Sequence, residues 1–250
     1  FETPDTIVPG PLPAGLPLRQ ELLNLTGPTS EPVNEDLWFG KLTWQVNDNN
    51  LVEFSAKVRE EDEITDLGGL NTDSYGKTNI NESTRLDLRY QWSNTDWLND
   101  MHVTHEDEKF NPRAITLAPG FIIQDDQRRT VLNVGGGQDF QDKGQEGWGF
   151  QDDLTFTGID GHTLKGGFKY KDVEVNAFEQ QPFNAQYSIN YPANVALMGN
   201  TALGDFQPYQ VRFGAPLPGI GDRNITSTNK QYGLYFQDDW EVNDKLIINL

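Results

Sequence analysis

Along residues 51–59, LVEFSAKVR, apolar and polar side chains alternate from Val52 onward. Val52, Phe54, Ala56 and Val58 fall on one face of an extended chain, and Glu53, Ser55, Lys57 and Arg59 fall on the other. The same period of two returns at 84–92, where Leu86, Leu88, Tyr90 and Trp92 oppose Arg85, Asp87, Arg89 and Gln91. It returns again at 164–171, where Leu164, Gly166, Phe168 and Tyr170 oppose Lys165, Gly167, Lys169 and Lys171. None of these twelve apolar-face residues is charged and nine of the twelve opposite them are, so the two faces are built for different media. Further strands are predicted at 37–46, 97–105, 148–156, 231–242 and 246–250.

The connections fall into two kinds. NDNN at 47–50, SNTD at 93–96, TGIDG at 157–161 and NDK at 243–245 are short and rich in Asn, Asp and Gly, as hairpin turns require. Residues 60–83, 106–147 and 172–230 are far longer than the usual connection in a compact domain. Short and long links alternating along a meander predict an all-β fold, an antiparallel up-and-down transmembrane β-barrel segment with short periplasmic turns and long extracellular loops. RRTVLNV at 128–134 also has strand character, but one extra crossing would put the TGIDG turn on the wrong side of the membrane. It is expected as a ladder inside an external loop; the alternative is a second crossing paired near 115–123.

Composition removes other readings more than it adds new ones. The mean hydropathy of -0.63 and the lack of any run of eighteen apolar residues exclude a transmembrane helix. They leave a barrel open, because a barrel strand shows lipid only every second residue. A net charge of -19 argues against a nucleic-acid partner, and the absence of cysteine excludes disulfides and Cys-ligated zinc. The chain opens with Phe1 in a Pro/Gly-rich stretch and closes with Leu250 inside an apolar alternation, and it is expected to be a piece of a longer exported polypeptide.

Alternation would equally suit a soluble β-sandwich whose apolar face packs on a second sheet. The tryptophans favour the membrane: Trp44, Trp92, Trp97 and Trp240 lie within three residues of a tight turn, and Trp38 and Trp148 lie at the far ends of their predicted strands. Indoles gather there as an aromatic girdle, ring in the interface and N–H hydrated. On this basis Lys57, Arg59, Arg85, Arg89, Lys165, Lys169 and Lys171 are candidate lumen-facing residues.

Residues 147–170, GWGFQDDLTFTGIDGHTLKGGFKY, and 231–250, QYGLYFQDDWEVNDKLIINL, share an aromatic-Gly start and FQDD at the same offset before the turn. YGLYFQDDWEVNDKLIINL resembles the recurrent barrel hairpin of TonB-dependent receptors, GHTLKGGFKY resembles another hairpin of that family, and the loop-rich Oar-like subgroup is nearest. The resemblance implies that 1–250 is part of a 22-stranded barrel whose plug domain, TonB box and remaining strands lie outside it. It further implies import of an unidentified extracellular ligand, with the barrel's own plug, the TonB complex, outer-membrane lipid and lipopolysaccharide as partners. The alternatives are a secreted β-sandwich adhesive or binding module and a general porin.

Two features sit awkwardly in this picture. Asp152 and Asp238, inside the two FQDD repeats, fall on the otherwise apolar face, where carboxylates are costly. A β-bulge or local twist at each is expected to turn the side chain toward a neighbouring strand's polar groups. Glu60, Glu61, Asp62 and Glu63 invite a calcium or divalent-bridged lipopolysaccharide contact, against the plainer role of a solvated loop.

Catalytic chemistry finds no support. His102 and His105 are three apart, on opposite faces of a strand, and cannot share a metal; His162 adjoins a turn. GGG at 135–137 lacks a strand-to-helix setting and reads as a flexible loop, and Asp152 and Asp153 point apart as strand neighbours. No cofactor and no metal site are expected, and the chain is not expected to be an enzyme.

Overall fold

Every alternating segment becomes a strand of one sheet. The computed structural model describes residues 5–198, 205–214 and 224–250. In chain order the elements are β1 (Thr6–Ile7), α1 (Gln20–Leu23), β2 (Gly27–Pro28), β3 (Val33–Asn47), β4 (Asn50–Thr65), β5 (Lys77–Ser93) and β6 (Trp97–Ala114). There follow β7 (Gly120–Gln124), β8 (Thr130–Gly135), β9 (Phe140–Ile159), β10 (His162–Gln180), β11 (Gln186–Asn190), α2 (Tyr191–Met198), β12 (Gln210–Arg212), β13 (Asn224–Asn243) and β14 (Leu246–Asn249).

The large sheet has eight strands in the order β14-β13-β10-β9-β6-β5-β4-β3, so each pairs antiparallel with its predecessor in the meander. The four tight turns gather at one end, the turn end. Asparagine side chains close three of them: the Oδ1 atoms of Asn47, Asn94 and Asn243 accept the backbone N–H of Asn49, Asp96 and Lys245, each at 3.0 Å. The fourth uses Gly161 at φ +74°, a left-handed position that favours glycine.

The strands are longer than predicted. From β3 to β6 they run 15, 16, 17 and 18 residues, and β9, β10 and β13 run 20, 19 and 20. The excess lies at the opposite, loop end, so the long connections shrink to 66–76, 115–139 and 181–223, the last including residues outside the described set. Along the extensions of β4 and β5 both faces are mostly polar, as at Glu60–Glu63, and a ladder wetted on both sides has little apolar alternation to reveal it; along β10, Val173, Val175 and Ala177 alternate with Asp172, Glu174 and Asn176, on the face opposite to that of Phe168 and Tyr170.

The predicted loop ladder is present: β7 and β8 pair with each other, and β7 pairs in parallel with β11 from the next long connection. With β12 they make a four-stranded sheet separate from the wall, so the parity of the crossings is kept. The amino-terminal segment joins this cap, where Val8 N donates to Gly69 O at 2.8 Å and Gly10 N to Val131 O at 2.8 Å. Ile7, Leu18, Leu22, Ile123, Val131, Leu132, Ile189, Tyr191 and Phe206 form its buried core.

Candidate functional site

Cross-strand register sorts the wall into two faces. One row runs Trp44, Val52, Tyr90, Met101, Asp152, Phe168, Leu234; a second runs Leu42, Phe54, Leu88, Val103, Phe150, Tyr170, Tyr232. The opposite face carries Glu53, Arg89, His102, Gln151 and Lys169 in one row. All six tryptophans belong to the apolar face and all seven candidate bases to the charged one.

Exposure on these faces is inverted relative to a water-soluble sheet. On interior strands Phe54, Leu88, Leu154 and Phe168 remain 39%, 44%, 39% and 40% exposed. On the same or adjacent strands the side chains of Glu53, Asp87 and Glu106 are only 14%, 21% and 19% exposed. Among the described residues no second sheet covers the apolar face. Charges sheltered and hydrocarbons bare are the arrangement a wall needs when lipid lies outside and water inside.

Trp44, Trp92, Trp97 and Trp240 sit at the turn end, as predicted. Trp38 and Trp148 do not end their strands, which continue to Val33 and Phe140. They mark instead where the apolar face ends: beyond them the same face carries Asp36, Glu60, Glu82, Asp107 and Glu146. Between the two rims each strand runs about seven to nine residues, every second one on this face, roughly 20–30 Å along the strand, the scale of a bilayer's hydrocarbon layer. His105 lies tilted at 33° against Trp148 at one rim and His162 stacks on Trp240 at the other, with ring centroids 4.5 and 5.5 Å apart.

No bulge occurs at either FQDD. Asp152 stays in register with Met101 and Phe168, and Asp238 with Leu164; the only irregularities in the large sheet adjoin the turns. The carboxylates remain on the apolar face and are satisfied sideways. Asn99 Nδ2 donates to Asp152 Oδ1 at 2.5 Å, and His162 Nδ1 lies 2.9 Å from Asp238 Oδ2. A polar residue on the neighbouring strand near the turn-end rim therefore does what a bulge was expected to do.

On the charged face, Glu53 bonds Lys41 at 2.7 Å and Arg89 at 3.1 Å, Arg89 clamps Asp100 through Nε at 2.7 Å, and His102 lies between Asp87 and Asp100 at 3.1 and 3.4 Å. Glu106 takes Arg85 at 3.0 Å and Lys171 at 2.6 Å, Lys165 meets Asp239 at 2.8 Å, and Arg59 meets Glu35 at 2.6 Å. Lys57 and Lys169 have no carboxylate at ion-pair distance among the described residues. A cleft of about 470 Å³ opens here, lined by Arg85, Asp87, His102, Glu106, Lys169 and Lys171.

Two of these links cross over an intervening strand, and glycine makes that possible. Lys171 on β10 reaches Glu106 on β6 above Gly147 and Gly149 of β9. Tyr235 on β13 donates to Asp153 on β9 at 2.9 Å above Gly167, where an added Cβ would stand 2.2 Å from Asp153 Oδ1 and 2.3 Å from Tyr235 Cε1. Sequence reasoning found the bases but missed these partners and glycines, because a bridge between strands twice removed depends on strand order. Glycine at polar-face positions was the available signal.

The acidic run 60–63 cannot act as one ligand set. Glu60 and Asp62 share one face with Glu82 and Ile80, whereas Glu61 and Glu63 face the other way and take Asn81 Nδ2 at 2.6 Å and Asn79 Nδ2 at 3.2 Å. The period of two divides them.

The cap is held by buried amides. Gln186 is fully buried: Nε2 donates to Gly136 O at 3.0 Å and Oε1 accepts the Tyr75 hydroxyl at 3.0 Å. Asn184 Nδ2 donates to Thr116 O at 2.9 Å and Gly137 O at 2.8 Å. GGG at 135–137 is thus a packed junction, not a flexible loop; a Cβ on Gly136 would lie 1.9 Å from Ala118 O. Asp125 Oδ1 accepts the backbone N–H of Gln127 and Arg129, each at 2.9 Å, and Oδ2 takes Arg129 Nε at 2.7 Å. Burial alone would raise its pKa, but these donors outweigh it and hold the carboxyl below its ordinary range.

The family described as outer membrane beta barrel domain matches residues 6–250. Among solved structures, the outer membrane transporter YddB from Escherichia coli is similar in fold, with a TM-score of 0.56 at 12% identity over 85% of this chain. The chain spans 26% of that transporter's length. No curated protein matches.

Proposed function

The chain belongs to the outer membrane beta barrel domain family and so to the bacterial outer membrane, and from that premise we propose that it is part of the wall of a TonB-dependent transporter that captures an extracellular ligand and imports it. The observation that carries this reading is the inverted exposure of the two faces, combined with long connections that fold together at one end. The bare apolar face meets lipid and the charged face borders the lumen. The cleft at Lys169 and Lys171 gives a plug domain or a passing polar ligand a wall of both charge signs. The turn end is periplasmic, and the cap is the extracellular part that meets the ligand first. No catalytic step belongs to this reading.

A folded cap favours a receptor over a general porin, whose passive diffusion calls for an open mouth. The test is ligand uptake by cells carrying the full-length protein, with and without a working inner-membrane TonB complex. Uptake that stops when the complex is removed supports the proposal. Uptake that continues at the same rate makes the protein a passive channel.

A further inference from the structure

The luminal face of β10 changes character above the loop-end rim. From the row of Trp148 upward, β10 turns Asp172, Glu174 and Asn176 outward and Val173, Val175 and Ala177 toward the lumen, the reverse of the order at Phe168 and Tyr170. Ile225 of β13, the register partner of Ala177, continues the apolar side. Val173 is buried and leans across Gly147, where an added Cβ would stand 2.9 Å from Val173 Cγ2; Val175 and Ile225 remain 39% and 64% exposed. The flanking luminal positions are polar: Ser227 and Asn229 on β13, and on β9 Lys143, tied to Glu179 at 2.7 Å, and Gln145, tied to Glu108 at 2.6 Å. The apolar stripe is therefore little more than one strand wide, and it runs about 13 Å from Val173 to Ala177. Hydrocarbon exposed on the wetted side of a barrel wall marks a place where something apolar comes to lie.

The same face of the same strand carries Lys169, about 13 Å below Val173. Acids outnumber bases 38 to 19 in this chain, yet among the described residues its ammonium has no carboxylate at ion-pair distance. The carboxylates around it are already bonded: Glu106 by Arg85 and Lys171, Asp87 by His102, Asp100 by Arg89, and Asp153 by Gln151 and Tyr235 at 2.6 and 2.9 Å. Beside Lys169 on β13 stands Gly233, where an added Cβ would meet only Lys169 Cβ, at 3.7 Å, so this flank is open. Lys171, between Lys169 and Val173, is drawn aside to Glu106 two strands away, and its ammonium does not interrupt the line. An unpaired cation at one end of a narrow apolar stripe matches a linear molecule with an acid at one end and hydrocarbon behind it. A ligand of many negative charges would meet the surrounding carboxylates and leave the stripe uncovered.

We infer that the luminal face of β10 binds a linear apolar acid, its carboxylate on Lys169 and its chain along Val173, Val175, Ala177 and Ile225. The inference rests on the transporter reading above and narrows its ligand to one chemical class. The test uses full-length protein in lipid nanodiscs and fluorine NMR titration with ω-trifluorooctanoate, with empty nanodiscs as the measure of simple partitioning into the bilayer. The matching alcohol, trifluorooctanol, lacks the charge, and trifluoroacetate lacks the chain. Wild type is expected to bind the octanoate about tenfold more tightly than either. Lys169→Gln should weaken octanoate binding about tenfold, the loss of one charge-assisted hydrogen bond, and leave the alcohol unaffected. The double variant Val175→Asn/Ile225→Asn should weaken octanoate and alcohol alike. Folding of each variant is checked by heat-modifiable electrophoretic mobility, and if the double variant fails to fold, Lys169→Gln decides. Octanoate and alcohol bound equally by wild type, no binding beyond that of empty nanodiscs, or folded variants that bind as wild type does would overturn the inference. In the last case the stripe serves only to pack against another part of the protein. Because binding is read without the TonB complex, either result leaves the uptake test to stand or fail by itself.

Discussion

The wall and the cap are made from the same chain yet obey opposite rules. In the cap, Leu22, Ile123, Val131, Leu132 and Tyr191 are buried together, as in any water-soluble domain. In the wall, leucines and phenylalanines lie bare on one side while carboxylates such as Glu53, Asp87 and Glu106 are sheltered on the other. The difference follows from the medium. A strand bathed in lipid needs no apolar partner, so its specificity moves to the ladder, the ion pairs and the glycines that let side chains cross a strand. The cap stands in water and must bury its own core.

The contrast can be broken most severely in the cap. Tyr191→Ala removes a buried ring and a hydroxyl that accepts Arg19 N at 2.8 Å. It should destabilise the cap by about 3–5 kcal/mol, read as rapid protease cleavage within 115–139, while the wall keeps its heat-modifiable mobility. Loss of both together would mean that cap and wall are one folding unit.

Next in size is a charge on the bare face. Leu88→Arg should cost about 2–4 kcal/mol in a bilayer, measured by urea unfolding from vesicles. Gln91→Arg, on the charged face of the same strand, should stay within about 0.5 kcal/mol. Equal costs would remove the distinction between the faces. Smaller still, Gly167→Val should break the Tyr235–Asp153 link and cost about 1–3 kcal/mol, and adding Tyr235→Phe should cost little more, so the two changes are non-additive.

The smallest effect is a pH dependence confined to the cap. Asp125 has a depressed folded-state pKa, so its contribution is complete above the ordinary aspartate value of about 3.9 and disappears as pH falls through the lower folded value. Protease resistance of the β7–β8 turn should therefore fall on going below about pH 4, and Asp125→Asn should flatten that fall. An acid response unchanged in the variant would place its origin elsewhere.

How much the sequence revealed follows the same divide. Where one face meets lipid and the other water, the period of two exposes strand, face and rim, and Val52 to Val58 against Glu53 to Arg59 needed no structure to be placed. Above the rim both faces are wet, the pattern vanishes, and the continuations of β4 to β6 looked like loops. In the cap the core is assembled from three distant parts of the chain, around 7–22, 121–134 and 189–206, and residues such as Gln186 and Asn184 gain meaning only when those parts meet. The bases of the charged face were visible, but their carboxylate partners depend on which strands lie side by side. The period of two places Asp152 and Asp238 on the apolar face, and their partners Asn99 and His162 lie on neighbouring strands that sequence order alone does not identify.

The most direct test of the central claim is a cysteine scan of β4 and β5, made simple by the absence of cysteine from this chain. Nitroxide labels at residues 52–58 and 85–91 of the full-length protein in vesicles would be assayed for collision with oxygen, which concentrates in lipid, and with a water-soluble nickel chelate. Oxygen contact should peak at 52, 54, 56, 58, 86, 88 and 90, and nickel contact at 53, 55, 57, 85, 87, 89 and 91. Labels at Phe54 and Leu88 that were shielded from oxygen and nickel alike, as beneath a second sheet, would contradict a lipid-facing wall.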